Sequence, residues 1–383
     1  MKRGNRYRIY PNLEQKVLME KHFGCTRFVY NKLLNIKSTL YRKFKANISE
    51  FDLNNHLLVL KDIYPWLKEI NSGALQQASK NLNSAFNHFF NDGFGYPQRK
   101  HKKDNHFSFQ LPQHYEFNLE KSEIKLPKIG WIKVKMHRDI FKGEMKTLTV
   151  SRTPTGKYYI SILTDDGEPY PEPEPFSHIT MIGIDVGITT FATLSTGEKI
   201  DNPRFLKKSL KKLIDLQKSV SRKVIGSKNR RKAVYKLAKL HEKIGNQRND
   251  FQHKVSNQLI SDNQAIAVET LNVKDMKKNH KLAQAISDSA WYSFVLKLSY
   301  KAQFLGKTIL KISLWEPSTK NCNVCGYHNS GLTLDIREWQ CPDCNTIHDR
   351  DINAAINIKK FALNTVGTTD YAYGLGKNGN RLV

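Results

Sequence analysis

Met181-Ile182-Gly183-Ile184-Asp185-Val186-Gly187 is an apolar run that stops at a carboxylate and a glycine. It reads as a buried strand ending in a turn. Phe191-Ala192-Thr193-Leu194-Ser195 reads as a second strand, and Gln264-Ala265-Ile266-Ala267-Val268-Glu269 as another short buried one. Between them, residues 205–260 have the pattern of long helices with a strongly basic face. Trp291, Phe294, Val295, Leu298, Ala302 and Leu305 form the apolar stripe of a further helix. Lys307 to Leu314 is strand-like again. A last helix is expected from about Asn353 to Leu363.

Three acidic residues stand at the ends of these elements. Asp185 closes the first strand, and Glu269 closes the strand Ile266–Val268. Asp351 lies in His348-Asp349-Arg350-Asp351-Ile352-Asn353-Ala354-Ala355, where a helix begins. Phosphodiester hydrolysis needs charge neutralised on both the attacking and the leaving oxygen. Two divalent ions roughly 4 Å apart do this, held by separated carboxylates, and apolar strands end at a site edge where such groups converge. Taken singly, an Asp after an apolar strand is ordinarily a loop or capping residue. Asp349 and Asp351 compete, and one of the two can serve simply as the cap of the following helix.

Cys322-Asn323-Val324-Cys325 is followed, after fifteen intervening residues, by Cys341-Pro342-Asp343-Cys344. Two thiolate pairs at this spacing, on turns favoured by Gly326 and Pro342, suit one tetrahedral zinc ion. With sulfur in all four positions no coordination site stays open, so the zinc is expected to be structural. Cys25 stands alone beside Phe28 and Val29 and reads as a small buried residue. Five cysteines in this arrangement make no disulfide scaffold, and a reducing intracellular compartment is expected.

On the N-terminal side the periodicity changes twice. Arg6-Tyr7-Arg8-Ile9-Tyr10 alternates like a strand, residues 13–95 repeat at helical spacing, and residues 106–164 alternate again as an antiparallel β module. Asp165–Pro175 carries prolines at alternate positions, which fit neither helix nor sheet, and reads as an extended linker. At 383 residues the chain has room for two or three domains of roughly 150 residues. No run of about 18 apolar residues exists and no apolar stretch follows the basic N-terminus, so neither a membrane helix nor a secretory signal is read.

Lys and Arg number 62 against 35 Asp and Glu, a net charge of +27. A polyanion is the partner that such a chain calls for, nucleic acid ahead of an anionic membrane surface. Between residues 207 and 243, 14 Lys/Arg face only Asp215 and Glu242. Within that stretch Arg222, Lys223, Lys228, Arg230, Arg231 and Lys232 are candidate phosphate contacts. The alternative is a solvated helix face. Tyr7, Tyr10, Phe28, Tyr30 and Tyr41 are either base-stacking aromatics or core.

In these motifs the sequence resembles the TnpB family, the OrfB-type proteins of bacterial insertion sequences, related to type V CRISPR effectors. The resemblance rests on Arg27-Phe28-Val29-Tyr30-Asn31, Tyr96-Pro97 with the basic run 99–103, and Gly183–Gly187. It rests further on Asn246–Phe251, Trp291-Tyr292-Ser293-Phe294, Ser318–Cys322 and Asp349–Ala355. It implies a multidomain α+β chain. A helical recognition domain (13–104) is inserted in a wedge-type β-barrel (1–12 and 105–165). A linker (166–177) follows, then a RuvC-like nuclease domain of RNase H fold (178–317). A zinc ribbon that binds target nucleic acid (318–347), a last RuvC segment (348–363) and a disordered tail (364–383) complete it.

The resemblance also implies that Asp185, Glu269 and Asp351 are the catalytic acids and bind two Mg2+, with Mn2+ as an alternative. Asp351 is preferred to Asp349 because the family's acid lies two residues before the Asn, here Asn353. Cys322, Cys325, Cys341 and Cys344 hold one Zn2+. The implied activity is RNA-guided cleavage of DNA, in the bacterial cytoplasm at the nucleoid and with no membrane partner. The guide RNA comes from the transposon end, and the double-stranded target carries a short adjacent motif. Gln76, Gln77 and Lys80 are then candidates to contact that motif, or else an exposed polar helix face. The alternatives are a catalytically silent RNA-guided repressor and a strand-joining transposase.

Overall fold

The structure is a computed structural model and describes residues 1–138, 143–333 and 335–366. The chain divides into two compact units, Met1–Glu168 and Pro169–Val383.

The first unit begins with strand β1 (Lys2–Tyr10), in which the alternation expected from the sequence buries Tyr7 and Ile9 on one face. Helices α1 (Leu13–Phe44), α2 (Glu50–Ile63) and α3 (Ser72–Asn91) follow, with a 3-10 turn at Pro65–Glu69. Asn12 and Ser49 start the first two helices with capping boxes, each side chain accepting the backbone N–H three residues on. The chain then forms β2 (Phe107–Leu111), β3 (Glu116–Asn118), β4 (Glu123–Leu126), β5 (Gly130–Lys135), β6 (Glu144–Arg152) and β7 (Tyr158–Asp165). These join β1 in one antiparallel sheet of order β2-β6-β7-β1-β5-β4-β3. β1 is thus an inner strand, and the helices are an insertion between it and β2. Met19 and Phe23 of α1 and Ala74 of α3 pack on the sheet's apolar side chains, while Leu33, Leu57, Leu75 and Leu82 form a separate core among the helices.

The second unit is built on β8 (Met181–Val186), β9 (Thr190–Leu194) and β10 (Lys199–Asp201), then α4 (Phe205–Ser221) and α5 (Lys228–Asp262). After these come β11 (Ala265–Glu269), α6 (Val273–Met276), α7 (Ala283–Ser289), α8 (Trp291–Phe304) and β12 (Thr308–Ile312). The small pair β13 (Glu338–Gln340) and β14 (Ile347–Asp349) leads into α9 (Arg350–Val366). The sheet order is β10-β9-β8-β11-β12, with β8, β11 and β12 parallel and the outer β9 and β10 antiparallel. Ile182, Ile184, Ile266 and Val268 face one core, shared with Leu259 of α5 and Phe294 and Leu298 of α8. Met181, Ala265, Ala267 and Ile312 face the other, shared with Ile358 and Ala362 of α9. Buried on both faces, the parallel strands read as continuous apolar runs.

The segment expected as an extended linker packs on the second unit: Phe176 is buried against Met181 and Ile358, and the Glu174 N–H donates to the Gly306 carbonyl at 2.9 Å. The alternating prolines exclude sheet and helix but leave carbonyls and rings able to pack as extended chain. The final helix also outruns its expected end, so residues 364–366 are helical. The remainder of the expected disordered tail lies outside the described residues.

Candidate active site

In the parallel pair β8–β11, Met181 lies opposite Ala265 and Ile184 opposite Val268. One step further along that register Asp185 meets Glu269. Alternation puts both on the face that carries Met181, Gly183, Ala265 and Ala267, the face that α9 covers. Gly183 sets how near α9 comes. A Cβ there would overlap the Ala355 carbonyl oxygen and stand 2.9 Å from Lys359 Cβ. The helix therefore rests directly on strand backbone, and Asp351, in its first turn, reaches the end of the strands.

Electrostatics records the convergence. Burial, with the charges of Glu269 and Asp351 close by, pushes the Asp185 carboxyl up to about 8, against the opposing pull of Arg350 and Arg337. Glu269 is also held above the usual carboxylate range by burial, partly offset by the Ser318 hydroxyl that donates to its Oε1. Asp351 is flanked by cations, with Arg350 Nη2 at 3.1 Å from Oδ1 and Arg337 Nη1 at 3.3 Å from Oδ2. Asp349 has a different task. Its Oδ1 accepts the backbone N–H groups of Asp351 and Ile352 at 3.0 Å, and its Oδ2 takes the Lys199 ammonium at 2.5 Å. Burial would raise its carboxyl, but Lys199 and those amides outweigh it and hold it low. The structure thus brings Asp185, Glu269 and Asp351 together and makes Asp349 the helix cap.

Ser318, Arg337 and Arg350 have no role legible in the sequence. They stand within or beside the cysteine-rich segment, where spacing speaks only of the metal.

Cys322, Cys325, Cys341 and Cys344 present their sulfurs within 4.8 Å of one another, with pair distances of 3.6 Å (Cys322–Cys344) and 3.5 Å (Cys325–Cys341). Zinc–sulfur bonds of about 2.3 Å place tetrahedral ligands about 3.8 Å apart, so the set fits one zinc ion. The first knuckle is fastened to α9. Asn353 Oδ1 accepts the Asn323 N–H at 2.9 Å and its Nδ2 donates to the Asn321 carbonyl at 2.8 Å, while Asn357 Nδ2 donates to the Ser318 carbonyl at 2.8 Å.

The candidate nucleic-acid contacts divide. Gln76 and Lys80 are exposed on α3, whereas Gln77 donates to Asn81, which donates on to Gln110. At the turn between α4 and α5, Arg222, Lys228, Arg231 and Lys232 are exposed. Lys223 and Arg230 turn inward: Arg230 Nη1 donates to the Val220 carbonyl at 2.6 Å and Lys223 Nζ to Ser219 Oγ at 2.8 Å. A helix end leaves carbonyls without partners, and these two cations satisfy them. Among the candidate stacking aromatics, Tyr7 and Tyr30 are core, and Tyr10 and Tyr41 are exposed. Within the motif Asn246–Phe251, Arg248 pairs with buried Asp288 at 3.1 Å, and Asn249 accepts from Lys297, so that motif braces α5 against α7 and α8.

Comparison with known proteins follows the same lines. A family profile described as "Probable transposase" (OrfB_IS605) matches residues 162–280, and one described as "Cas12f1-like, TNB domain" matches 291–358, taking in the four cysteines and Asp351. A third, described as "Helix-turn-helix domain", matches residues 1–46, which here form β1 and one uninterrupted helix. A protein of Streptomyces pristinaespiralis named "Putative RNA-guided DNA endonuclease" is 38% identical, covering 94% of this chain and 89% of that protein. Escherichia coli "Putative RNA-guided DNA endonuclease InsQ" is 30% identical over 92% of this chain and 90% of its own. "TnpB-like protein L770" of Acanthamoeba polyphaga mimivirus is 23% identical, covering 93% of this chain and 72% of that one. Among solved structures, the Cas12f1 chain of a complex with single guide RNA and target DNA superposes with a TM-score of 0.57 at 15% identity. It covers 91% of this chain and 83% of that one, a likeness of fold.

Proposed function

The chain belongs to the TnpB family, and from that premise we propose that it is an RNA-guided DNA endonuclease that hydrolyses phosphodiester bonds at Asp185, Glu269 and Asp351. The carrying observation is the convergence of these three carboxylates at one end of the β8–β11 sheet, with Asp185 pushed up to about 8 by burial and by the other two. An oxygen-only donor set of three carboxylates, offset in part by Arg350 and Arg337, fits hard divalent cations, Mg2+ or Mn2+. A bound ion pair supplies charge neutralisation for the attacking and leaving oxygens. The chain's own residues do the rest. Ser318 fixes the rotamer of Glu269, Gly183 admits α9 so that Asp351 reaches the strand ends, and Asp349 holds the first turn of α9 in place.

In this reading the second unit is a RuvC-like domain of RNase H topology, and the sheet of the first is a wedge with a helical recognition insertion. The guide is an RNA from the transposon end, paired to target DNA next to a short motif. Sequence is read by base pairing, and the protein supplies positive charge against backbone, which accounts for the net +27. The four cysteines hold one structural zinc.

The test is cleavage of guide-matched DNA with Mg2+, after sequencing the RNA that co-purifies. The parent protein cuts. Asp185→Ala retains RNA binding and loses cleavage by at least about a hundredfold, the scale seen when a transition-state charge stabiliser is removed. Full cleavage by that variant overturns the assignment. An uncut target with the parent protein favours the silent repressor, and joined products the transposase.

A further inference from the structure

In the first unit a cavity of about 580 Å³ opens between α1 and the turn Pro65–Glu69. We propose that it is a nucleotide pocket: it takes the base of one unpaired nucleotide against Phe28 and Trp66, with the flanking phosphate at Arg27. The inference rests on the nucleic-acid reading above.

The wall is aromatic. Phe28 meets Trp66 edge to face at 4.9 Å and Tyr64 at 5.0 Å, which locks the rings against one another while Trp66 stays 41% exposed. Ring surface that is rigid and open is what an unstacked base needs, since every base has a flat π-face to offer. The volume falls in the roughly 300–1,000 Å³ range of ligand pockets.

The floor is Gly24. It lies inside the 32-residue helix α1, where glycine costs about 1 kcal/mol relative to alanine. Packing does not require it, because no atom lies within 4 Å of where its Cβ would stand. What the missing side chain provides is room in the cavity.

The charges favour an anion. Glu69 is the acid on the wall, and the Lys21 ammonium covers it at 2.5 Å. Arg27 has no hydrogen-bond or ion-pair partner among the described residues, so its guanidinium remains available. Lys32 stands 5.5 Å over the Phe28 ring. At the rim, Asn31 grips the backbone of Lys100 with both ends of its amide, donating to the carbonyl and accepting from the N–H at 2.9 Å. This anchors the basic run 99–103 beside the pocket, with Arg99, Lys102 and Lys103 exposed, a path for the phosphates that continue from the bound nucleotide. The Cys25 thiol on the same wall is pushed up to about 11 by burial and by Glu69.

Fluorescence anisotropy of full-length protein without Mg2+ tests this, using labelled single-stranded RNA, single-stranded DNA and duplex DNA of one length. Trp66→Ala and Gly24→Leu should each weaken single-strand binding about tenfold, within the range for loss of one stacked base, and leave duplex binding unchanged. Gly24→Ala should melt no lower than the parent, since alanine is the better helix former, yet still bind single strands less tightly. That pairing separates a filled pocket from a damaged fold. The RNA and DNA arms identify the strand that supplies the nucleotide. Unchanged single-strand affinity in Trp66→Ala and Gly24→Leu overturns the pocket, and so does an equal loss on the duplex. The nuclease reading is scored separately, by cleavage of guide-matched DNA with Mg2+, so its failure is distinct from failure here.

Discussion

Asp349 and Asp351 stand two positions apart and are used in opposite ways. One caps the helix, held by Lys199 and two backbone amides, and the other stands near Asp185 and Glu269 with Arg350 and Arg337 at its side. Composition cannot separate them, because both are Asp at the start of one helix. Cap geometry does. The crowding also has a thermodynamic signature. Asp185 titrates at about 8 in the fold, against an ordinary value of 3.8. Between those values the folded chain holds the extra proton, so stability falls as pH rises through that window. In metal-free buffer, Asp185→Asn should flatten this decline. By about pH 8 the variant should melt above the parent, by roughly 2–4 °C for each kcal/mol of repulsion relieved. Thermal melts with a chelator across the window check this, and superimposable pH profiles would sink it. Asp185 and Glu269 are legible in the sequence as acids ending apolar strands. Gly183 stands in the same motif, but its role is hidden there, because a glycine's closeness to a helix appears only when the helix is in place.

Among the elements, α9 is the shared beam. Its first turn presents Asp351, Asn353 and Asn357 hold the first cysteine knuckle and the chain leading into it, and Ile358 and Ala362 seat it on the sheet. The cysteine cluster is therefore coupled to the carboxylates by hydrogen bonds to one helix, without sharing a ligand. Cys341→Ser should cut zinc content from one ion per chain toward none and lower target cleavage by at least about tenfold, the lower end for a disturbed metal shell. Zinc analysis and a cleavage time course measure it, and a variant that loses the ion but keeps full activity breaks the link. The spacing of the cysteines is readable because two short turns fix it locally. The fastening to α9 is not, since Asn323 and Asn353 are far apart in sequence and meet only in the fold. Periodicity likewise locates β8, β11 and α8, whereas the inward turn of Lys223 and Arg230 depends on where α4 ends.

For the whole molecule the governing quantity is charge. Net +27 predicts binding to nucleic acid that weakens log-linearly with salt. Replacing the exposed Arg222, Lys228, Arg231 and Lys232 by alanine should reduce that slope on duplex DNA by up to about 0.9 for each phosphate that is no longer neutralised. Affinity measured from low to moderate salt gives the slope, and an unchanged value would return the α4–α5 turn to plain solvated surface. Both units are visible as changes of period in the sequence, and the proline-rich segment marks their boundary; its packing on Gly306 is not visible, being a tertiary interaction. The order of the acids along the polymer has a consequence for biogenesis. Positions 185 and 269 leave the ribosome well before position 351, so in the proposed reading the three-carboxylate site cannot assemble until α9 has been made. On that reading a product terminated upstream of α9 would lack Asp351 and carry an incomplete site.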